Sequence, residues 1–340
     1  VRILIVRVSS LGDIVHTFPM VSDIVKHCPN AKIDWLVEEA YVDLVRLHPG
    51  VGRIIPVALR RWRKQLFQAK TYREMRDFYH ALRQENYDVI LDPQGLIKTG
   101  FLMYLAKTAL KGKRVGLANA TLGSGYEGVS RIFHTMSVSV DVYTPAVERS
   151  RRVAGAALSY VFSDQICFAL KAPSLLLEFL PKEPYAVFFF ATARLSKQWR
   201  DDSWVELAKM LHQKGMVVLL PWGSEKEKVQ AYQLKAKIPN ASVLPKLSML
   251  EAIVVAQRAS LVVGVDTGLM HVAAAFSRPT VALYCDSPRW KTQATWSTWV
   301  LNLGDEGKPP TLEEVSEAVL NLLNLDSGGG LHEGVRGVCE

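Results

Sequence analysis

The sequence predicts an α/β protein built from two doubly wound parallel sheets, and three observations carry that expectation. Short apolar runs rich in β-branched residues recur along the chain, each followed by a break and then a stretch with helical periodicity. The alternation runs once through the first part, weakens between about residues 165 and 184 where Pro173, Pro181 and Pro184 cluster, and starts again at Tyr185. At 340 residues, 49% of them hydrophobic and 22% charged, the chain suits two globular domains of ordinary size. The expected division is a domain over 1–165, a linker over 166–184, a domain over 185–326 and a disordered tail over 327–340.

The elements follow in order. Ile3-Leu4-Ile5-Val6 reads as a strand, Ser9 to Asp13 as its exit loop, and a helix starts near Ile14. Gly12 is the residue that lets this loop turn tightly beside a ligand. Strands follow at 33–37 and 54–57, with a helix around 40–47 between them. A long helix over about 71–85 leads into Tyr87-Asp88-Val89-Ile90-Leu91-Asp92, and Pro93 to Lys98 forms a second exit loop. In the second half, Tyr185 to Phe190 is a strand and Ala191 to Lys197 its loop. Asp202 to Lys214 is a helix, Met216 to Leu220 a strand, and the segment with Glu225 and Glu227 a helix. Ser248 to Arg258 is a further helix, Thr280 to Tyr284 the strand that closes the sheet, and Leu312 to Leu325 a terminal amphipathic helix.

The most informative stretch is Leu261-Val262-Val263-Gly264-Val265-Asp266-Thr267-Gly268, followed by an Ala-rich helix that contains His271. Strand, Gly-containing turn and helix make a ligand site beyond the strand's carboxyl end, where free N–H groups and the helix dipole favour phosphate. The plainer reading is that Asp266 caps the helix and His271 packs. Two such domains on one chain bring two sets of exit loops face to face across a cleft, an arrangement suited to joining two substrates or to a two-lobed binding protein.

The net charge of +8 points to an anionic partner. Its densest source is Arg60-Arg61-Trp62-Arg63-Lys64, with Lys70, Arg73 and Arg76 after it. Guanidinium forks suit carboxylate and phosphate oxygens. Trp62, Phe67 and Tyr72 lie among these charges and would also suit a nucleic-acid strand, but no nucleic-acid fold accompanies them, so nucleic acid is not the expected partner. Four widely spaced cysteines, Cys28, Cys167, Cys285 and Cys339, read as reduced thiols without metal-ligand spacing. No apolar run reaches the roughly 18 residues of a membrane span, and Val1 to Val8 lacks the apolar centre of a signal peptide, so the protein is expected inside the cell.

An ordered set of segments then carries a resemblance. Val1 to Asp13 with Ser-Ser-Leu-Gly-Asp, Arg60 to Lys64, Asp92-Pro93-Gln94-Gly95-Leu96-Ile97-Lys98, Ala146-Val147-Glu148-Arg149, Leu220-Pro221-Trp222-Gly223 and Val265-Asp266-Thr267-Gly268 together resemble glycosyltransferase family 9, in its heptosyltransferase I branch. The resemblance runs from residue 1 to about 325. It implies a GT-B fold and transfer of heptose from ADP-heptose to the first Kdo sugar of Kdo₂–lipid A, with inversion and without a metal or other cofactor. It also implies work in the cytoplasm, peripheral on the inner membrane's cytoplasmic face and in contact with its anionic surface.

For the residues it implies Asp13 as the general base that takes the proton of the attacking hydroxyl. Ser10, Gly12, Arg60, Arg63, Lys64 and Lys98 fall on the acceptor side. Thr192 and Lys197 fall at the donor diphosphate, Glu227 at the ribose with Glu225 close enough to compete, and Leu247 at the adenine. Asp266, Thr267, Gly268 and His271 form the donor-site turn. Each has a plainer reading: a helix cap for Asp13, a surface lysine for Lys197, a solvated helix face for Glu227, packing for Leu247. The chain also departs from the family pattern, with Phe190 where a histidine is usual, Ala193 for a hydroxyl residue, Tyr126 for an arginine and Pro145 for a histidine. The alternatives are a family 9 heptosyltransferase with a heptose acceptor, or a nucleotide-sugar-binding protein without catalysis.

Overall fold

The computed structural model describes residues 1–192 and 194–327, and the chain divides into two compact units between Lys171 and Ala172. Ala193 and the tail expected beyond Ser327 lie outside the described residues. In the first unit the order is β1 (Arg2–Val6), α1 (Leu11–Val15), α2 (Phe18–His27), β2 (Lys32–Glu38), α3 (Val42–Val45), β3 (Val51–Val57), α4 (Leu59–Lys64), α5 (Ala69–Leu82), β4 (Asn86–Asp92), α6 (Ile97–Leu105), β5 (Lys107–Leu117), β6 (Met136–Val138) and α7 (Ala146–Leu158). The six strands are parallel and ordered β3-β2-β1-β4-β5-β6. The chain builds outward from β1 through β2 to β3, then returns with β4 on β1's other side. The exit loops of β1 and β4 therefore part in opposite directions and leave a crevice, the switch point where open α/β sheets take ligands.

The second unit repeats this plan. Its elements are β7 (Tyr185–Phe189), α8 (Asp201–Gln213), β8 (Val217–Leu220), α9 (Glu225–Lys235), β9 (Ala241–Val243), α10 (Met249–Arg258), β10 (Leu261–Val265), α11 (Gly268–Ala275), β11 (Thr280–Tyr284), α12 (Arg289–Thr292), β12 (Val300–Gly304) and α13 (Leu312–Ser327). The parallel order β12-β11-β10-β7-β8-β9 is the same winding, with the switch point between β7 and β10. Every residue of β7, β10 and β11 is buried, as strands covered by helices on both faces require. Phe190, just past β7, is fully buried in the core with Phe188 and Trp204, so it packs at the position where the family pattern has a histidine.

Several details correct the expectations. Thr280–Tyr284 does not close the sheet, because β12 pairs outside it over Val300–Gly304. The polar and aromatic segment before Val300 masks the strand's short apolar run. Gly12 does not form a turn: α1 begins at Leu11 and Gly12 sits in its first turn, with its carbonyl accepting from His16 N–H. Ser327 belongs to α13, not to a tail. Among the described residues Cys28 and Cys285 are free thiols.

The loop after β4 is pinned from both sides. Asp92 is fully buried, its Oδ1 accepting from Gln94 and Gly95 N–H at 2.9 and 3.1 Å and its Oδ2 from Thr99 Oγ1 at 2.8 Å. Burial pushes its carboxyl up to about 6 against the pull of those donors. Gly95 has φ +68°, and a Cβ there would stand 2.7 Å from Cδ2 of Tyr126. The aromatic ring at this departure from the family pattern thus covers the turn, and Glu127 closes it by donating to Gly95 O and accepting from Ile97 N–H. Gly95→Ala should therefore lower stability by about 1–3 kcal/mol in urea unfolding, through left-handed backbone and overlap together. Adding Tyr126→Ala should return only the part due to overlap.

Candidate active site

At the first switch point the chain leaves β1 through Arg7, which is 2% exposed. Its Nη1 donates to Pro93 O at 2.9 Å and its Nη2 lies 2.6 Å from Asp13 Oδ1. The other oxygen of Asp13 accepts from Ser10 N–H and Oγ–H at 3.1 and 2.9 Å. Ser10 is the N-cap of α1 and Asp13 its N3 residue, so the carboxylate does serve the helix end, though not as the cap itself. It does more than that. Burial raises the Asp13 pKa, but Arg7, the Ser10 N–H, Arg149 and His16 outweigh burial and hold the carboxyl well below the usual carboxylate range. Asp13 is thus an ionised group, and its side chain keeps 37% exposure.

Two buried arginines complete this arrangement. Arg7 sits in an apolar strand end, and its contact with Pro93 spans 86 residues, a distance no local pattern reveals. Arg149, on α7, is buried and donates to Thr121 Oγ1 at 2.8 Å. Burial and the neighbouring Arg7 lower its pKa while Asp13 raises it. The Ala-Val-Glu-Arg segment was the available signal for Arg149.

Of the basic cluster, Arg61 and Trp62 are structural. Arg61 forks onto Glu39 and reaches Glu74 at 2.7 Å, and Trp62 Nε1 donates to the same Glu74 oxygen. Arg60 N–H donates to Glu38 Oε1 at 3.1 Å, and its guanidinium lies over the Tyr41 ring. Burial raises the Glu38 pKa, countered by Arg60 and by Lys98, whose Nζ also reaches Ser9 Oγ at 3.5 Å. Ser9, Ser10, Lys98, Glu38 and Arg60 therefore gather at the exits of β1, β2 and β4, while Arg63 and Lys64 lie exposed further along α4.

At the second switch point Asp266 follows β10. Its Oδ2 lies 3.1 Å from Lys197 Nζ, and its Oδ1 lies 3.0 Å from His271 Nε2 and 3.4 Å from Thr292 Oγ1. Burial pushes its pKa up, but His271 and Lys197 together hold it well below the usual range. The N-cap of α11 is Thr267, so Asp266 holds Lys197 and His271 and is not the helix cap. His271 is 2% exposed and turns toward Asp266. Thr192 lies in the loop that leads to Lys197.

Beside this turn lies a cavity of about 220 Å³ whose walls include Pro221, Trp222, Glu227, Leu247, Met249 and Thr267. It brings together three residues singled out from the sequence, Glu227, Leu247 and Thr267. Glu227 Oε2 accepts from Gly223 and Ser224 N–H at 2.6 and 3.2 Å, which holds the carboxylate at the cavity wall. Glu225 points elsewhere, 78% exposed and 3.5 Å from Lys228. An apolar slot with one fixed carboxylate, next to a helix N-terminus and a lysine, can take a flat base, a diol and an anion in sequence. Among the described residues no group of three His, Cys, Asp or Glu is placed to hold a metal ion, and no helix is long and apolar enough to cross a membrane.

Comparison with known proteins agrees with this architecture. Residues 75–319 match glycosyltransferase family 9 (heptosyltransferase). The chain is 38% identical to lipopolysaccharide heptosyltransferase 1 of Pseudomonas aeruginosa over 284 residues, 83% of this chain and 78% of that protein. It is 36% identical to the Escherichia coli K12 protein of the same name over 285 residues, 83% of this chain and 87% of that one. Among solved structures, E. coli heptosyltransferase WaaC with ADP superposes with a TM-score of 0.82 at 32% identity, covering 95% of this chain and all of that one. The same enzyme with ADP-2-deoxy-2-fluoro heptose gives 0.76 at 34% identity, covering 96% of this chain and all of that one. The chain belongs to glycosyltransferase family 9, the heptosyltransferases, and is a glycosyltransferase closely related to heptosyltransferase I.

Proposed function

We propose that this enzyme transfers heptose from ADP-heptose to the first Kdo of Kdo₂–lipid A, with inversion, and that Asp13 is the general base. The observation that carries the reading is Asp13 itself, an ionised and partly exposed carboxylate fixed at a switch point by Arg7 and Ser10. The acceptor hydroxyl oxygen bonds to the anomeric carbon of heptose as the bond from that carbon to the diphosphate oxygen breaks. ADP leaves with the electron pair, and Asp13 takes the hydroxyl proton. Lys197 and the N-terminus of α11 stabilise the departing charge. The slot with Leu247 holds the adenine and Glu227 the ribose hydroxyls. Arg60 and Lys98, with Arg63 and Lys64, meet the acceptor's carboxylates and phosphates. The relatives solved with ADP and with an ADP-heptose analogue support this donor assignment. The work takes place in the cytoplasm, peripheral on an anionic membrane face.

The function is tested by incubating the protein with ADP-heptose and Kdo₂–lipid A. The expected product is heavier by one heptose and carries it on Kdo; transfer only to a heptosylated acceptor would redirect the assignment. Asp13→Asn should lower turnover per folded molecule by roughly 10²–10⁴-fold while ADP affinity holds. It also leaves Arg7 without its counter-charge. Stability should therefore fall by about 1–3 kcal/mol, less than a fully buried pair would lose because Asp13 is 37% exposed. Near-normal turnover in that variant would remove Asp13 from the chemistry.

The pH profile gives an independent test. Arg7 holds the Asp13 carboxyl low, so protonation of the base lies below the usual carboxylate range. Arg7→Met removes that charge, and the acidic limb of kcat/KM should move to higher pH by roughly 1 unit or more. On the donor side, Lys197→Ala and Glu227→Gln should each weaken ADP binding by roughly 10–100-fold, the scale of one charge-assisted contact. Glu225→Gln should leave calorimetric ADP affinity unchanged.

A further inference from the structure

Helix faces that look outward are ordinarily polar, and α6 departs from that rule. Leu102 and Met103 point into the core, while Ile97, Phe101 and Tyr104 are 43%, 50% and 55% exposed. Their spacing of i, i+4 and i+7 puts them on one outward face. The 3₁₀ turn Gly128–Phe133 packs against this helix, with the Phe133 ring 6.4 Å from Phe101 and 5.9 Å from Tyr104. Gly100 permits the approach, since a Cβ there would stand 2.6 Å from Cδ2 of Phe133. The turn carries Val129 and Ile132, 57% and 73% exposed, to the same surface. Five large apolar side chains thus form one outward patch, which marks an interaction site more often than an ordinary surface.

The frame of the patch is basic. Lys98 in the first turn of α6, Arg131 in the 3₁₀ turn and Arg114 beside Tyr104 make it so, and the acidic residue next to the turn is Glu127. Its carboxylate is occupied by Ile97 N–H, and Arg114 lies 5.4 Å over the Tyr104 ring. The patch also begins at the crevice. Lys98, in the first turn of α6, reaches Ser9, next to Ser10 and Asp13, and the nine residues of the helix carry the apolar stripe roughly 13 Å away from there.

We propose that this face of α6 and the Gly128–Phe133 turn is the surface by which the enzyme docks on an anionic lipid bilayer. The aromatic and aliphatic side chains enter the interfacial layer, and the surrounding lysines and arginines meet headgroup phosphates. The orientation rests on the acceptor reading above: a sugar at Asp13 whose acyl chains stay in the bilayer requires a membrane-facing surface that starts at the crevice. The adsorption itself does not require that reading.

The test uses the full chain and vesicles that contain no sugar lipid, of phosphatidylcholine alone or with phosphatidylglycerol. The protein should co-sediment with the anionic vesicles, and added salt should release it. Phe101→Ser/Tyr104→Ser/Ile132→Ser should lower that partitioning by about tenfold or more, with ADP affinity and melting temperature near those of the parent. Arg131→Glu, which leaves the apolar patch whole, should reduce binding to anionic vesicles only. Equal binding to both vesicle types, absent binding, or a triple variant that partitions like the parent would overturn the proposal. So would a parent that sediments as a dimer, binds no vesicles and becomes monomeric on the triple substitution, for the face would then belong to a second copy. Failure of heptose transfer to Kdo₂–lipid A would leave these vesicle results untouched, so the two readings fail separately.

Discussion

The guanidinium of Arg7 is the charge on which the first crevice depends. A cation that is 2% exposed must find partners inside the protein or cost several kcal/mol. Arg7 finds Pro93 O on the loop after β4 and Asp13 at the start of α1. Its own carbonyl accepts from Trp35 Nε1 on β2, and the next residue, Val8, donates to Gln94 Oε1. Arg7 and Val8 therefore tie the end of β1 to β2 and to the loop after β4, and the loop Pro93 to Lys98 cannot move without exposing a buried charge. The rigidity of the carboxylate at the crevice follows from that constraint.

The second unit solves the same geometric problem with the charges exchanged. Both sheets wind in the same order, and both place an aspartate at the switch point. In the first, Arg7 holds a partly exposed carboxylate. In the second, Asp266 is more buried and holds the Lys197 ammonium and the His271 ring in place. A carboxylate presented by a cation suits proton acceptance, and a cation presented by a carboxylate suits an anionic leaving group. The same winding thus carries an opposite arrangement of charge in each unit without any change of topology.

What the sequence made legible follows burial. Strands covered on both faces, such as β1, β7, β10 and β11, read as continuous apolar runs and stand where expected. β5 did not read as a strand, because Lys107, Lys111, Lys113 and Arg114 crowd it and its pairing with β4 shifts register between Tyr87 and Val89. Only Val115–Leu117 at its end are buried. The positions of Asp13, Lys197 and Asp266 after β1, β7 and β10 were legible because strand exits have a signature of their own. Arg7 and Arg149 were not, since their importance lies in contacts 86 and 28 residues away. The apolar face of α6 escaped for a related reason: Phe101-Leu102-Met103-Tyr104 reads as core until the fold shows which half points outward.

A carboxylate held far below its ordinary pKa is a weak base, and that bears on the chemistry proposed for Asp13. Brønsted behaviour favours a base whose pKa lies near the working pH when it must pull a proton from an unactivated hydroxyl. A sugar transfer in which the bond to the diphosphate is largely broken before the new bond forms makes a different demand. The hydroxyl becomes acidic only as its oxygen binds the anomeric carbon, so the base needs to be ionised and aimed more than it needs to be strong. Asp13 meets that demand. Each carboxylate oxygen offers two lone-pair directions. Ser10 fills both on Oδ2 through its N–H and hydroxyl, whereas Arg7 takes one on Oδ1. On the proposed reading the proton therefore arrives at Oδ1, on the oxygen that Arg7 fixes in place. The interaction that depresses the pKa is then also the one that directs the remaining lone pair, and basicity is exchanged for orientation.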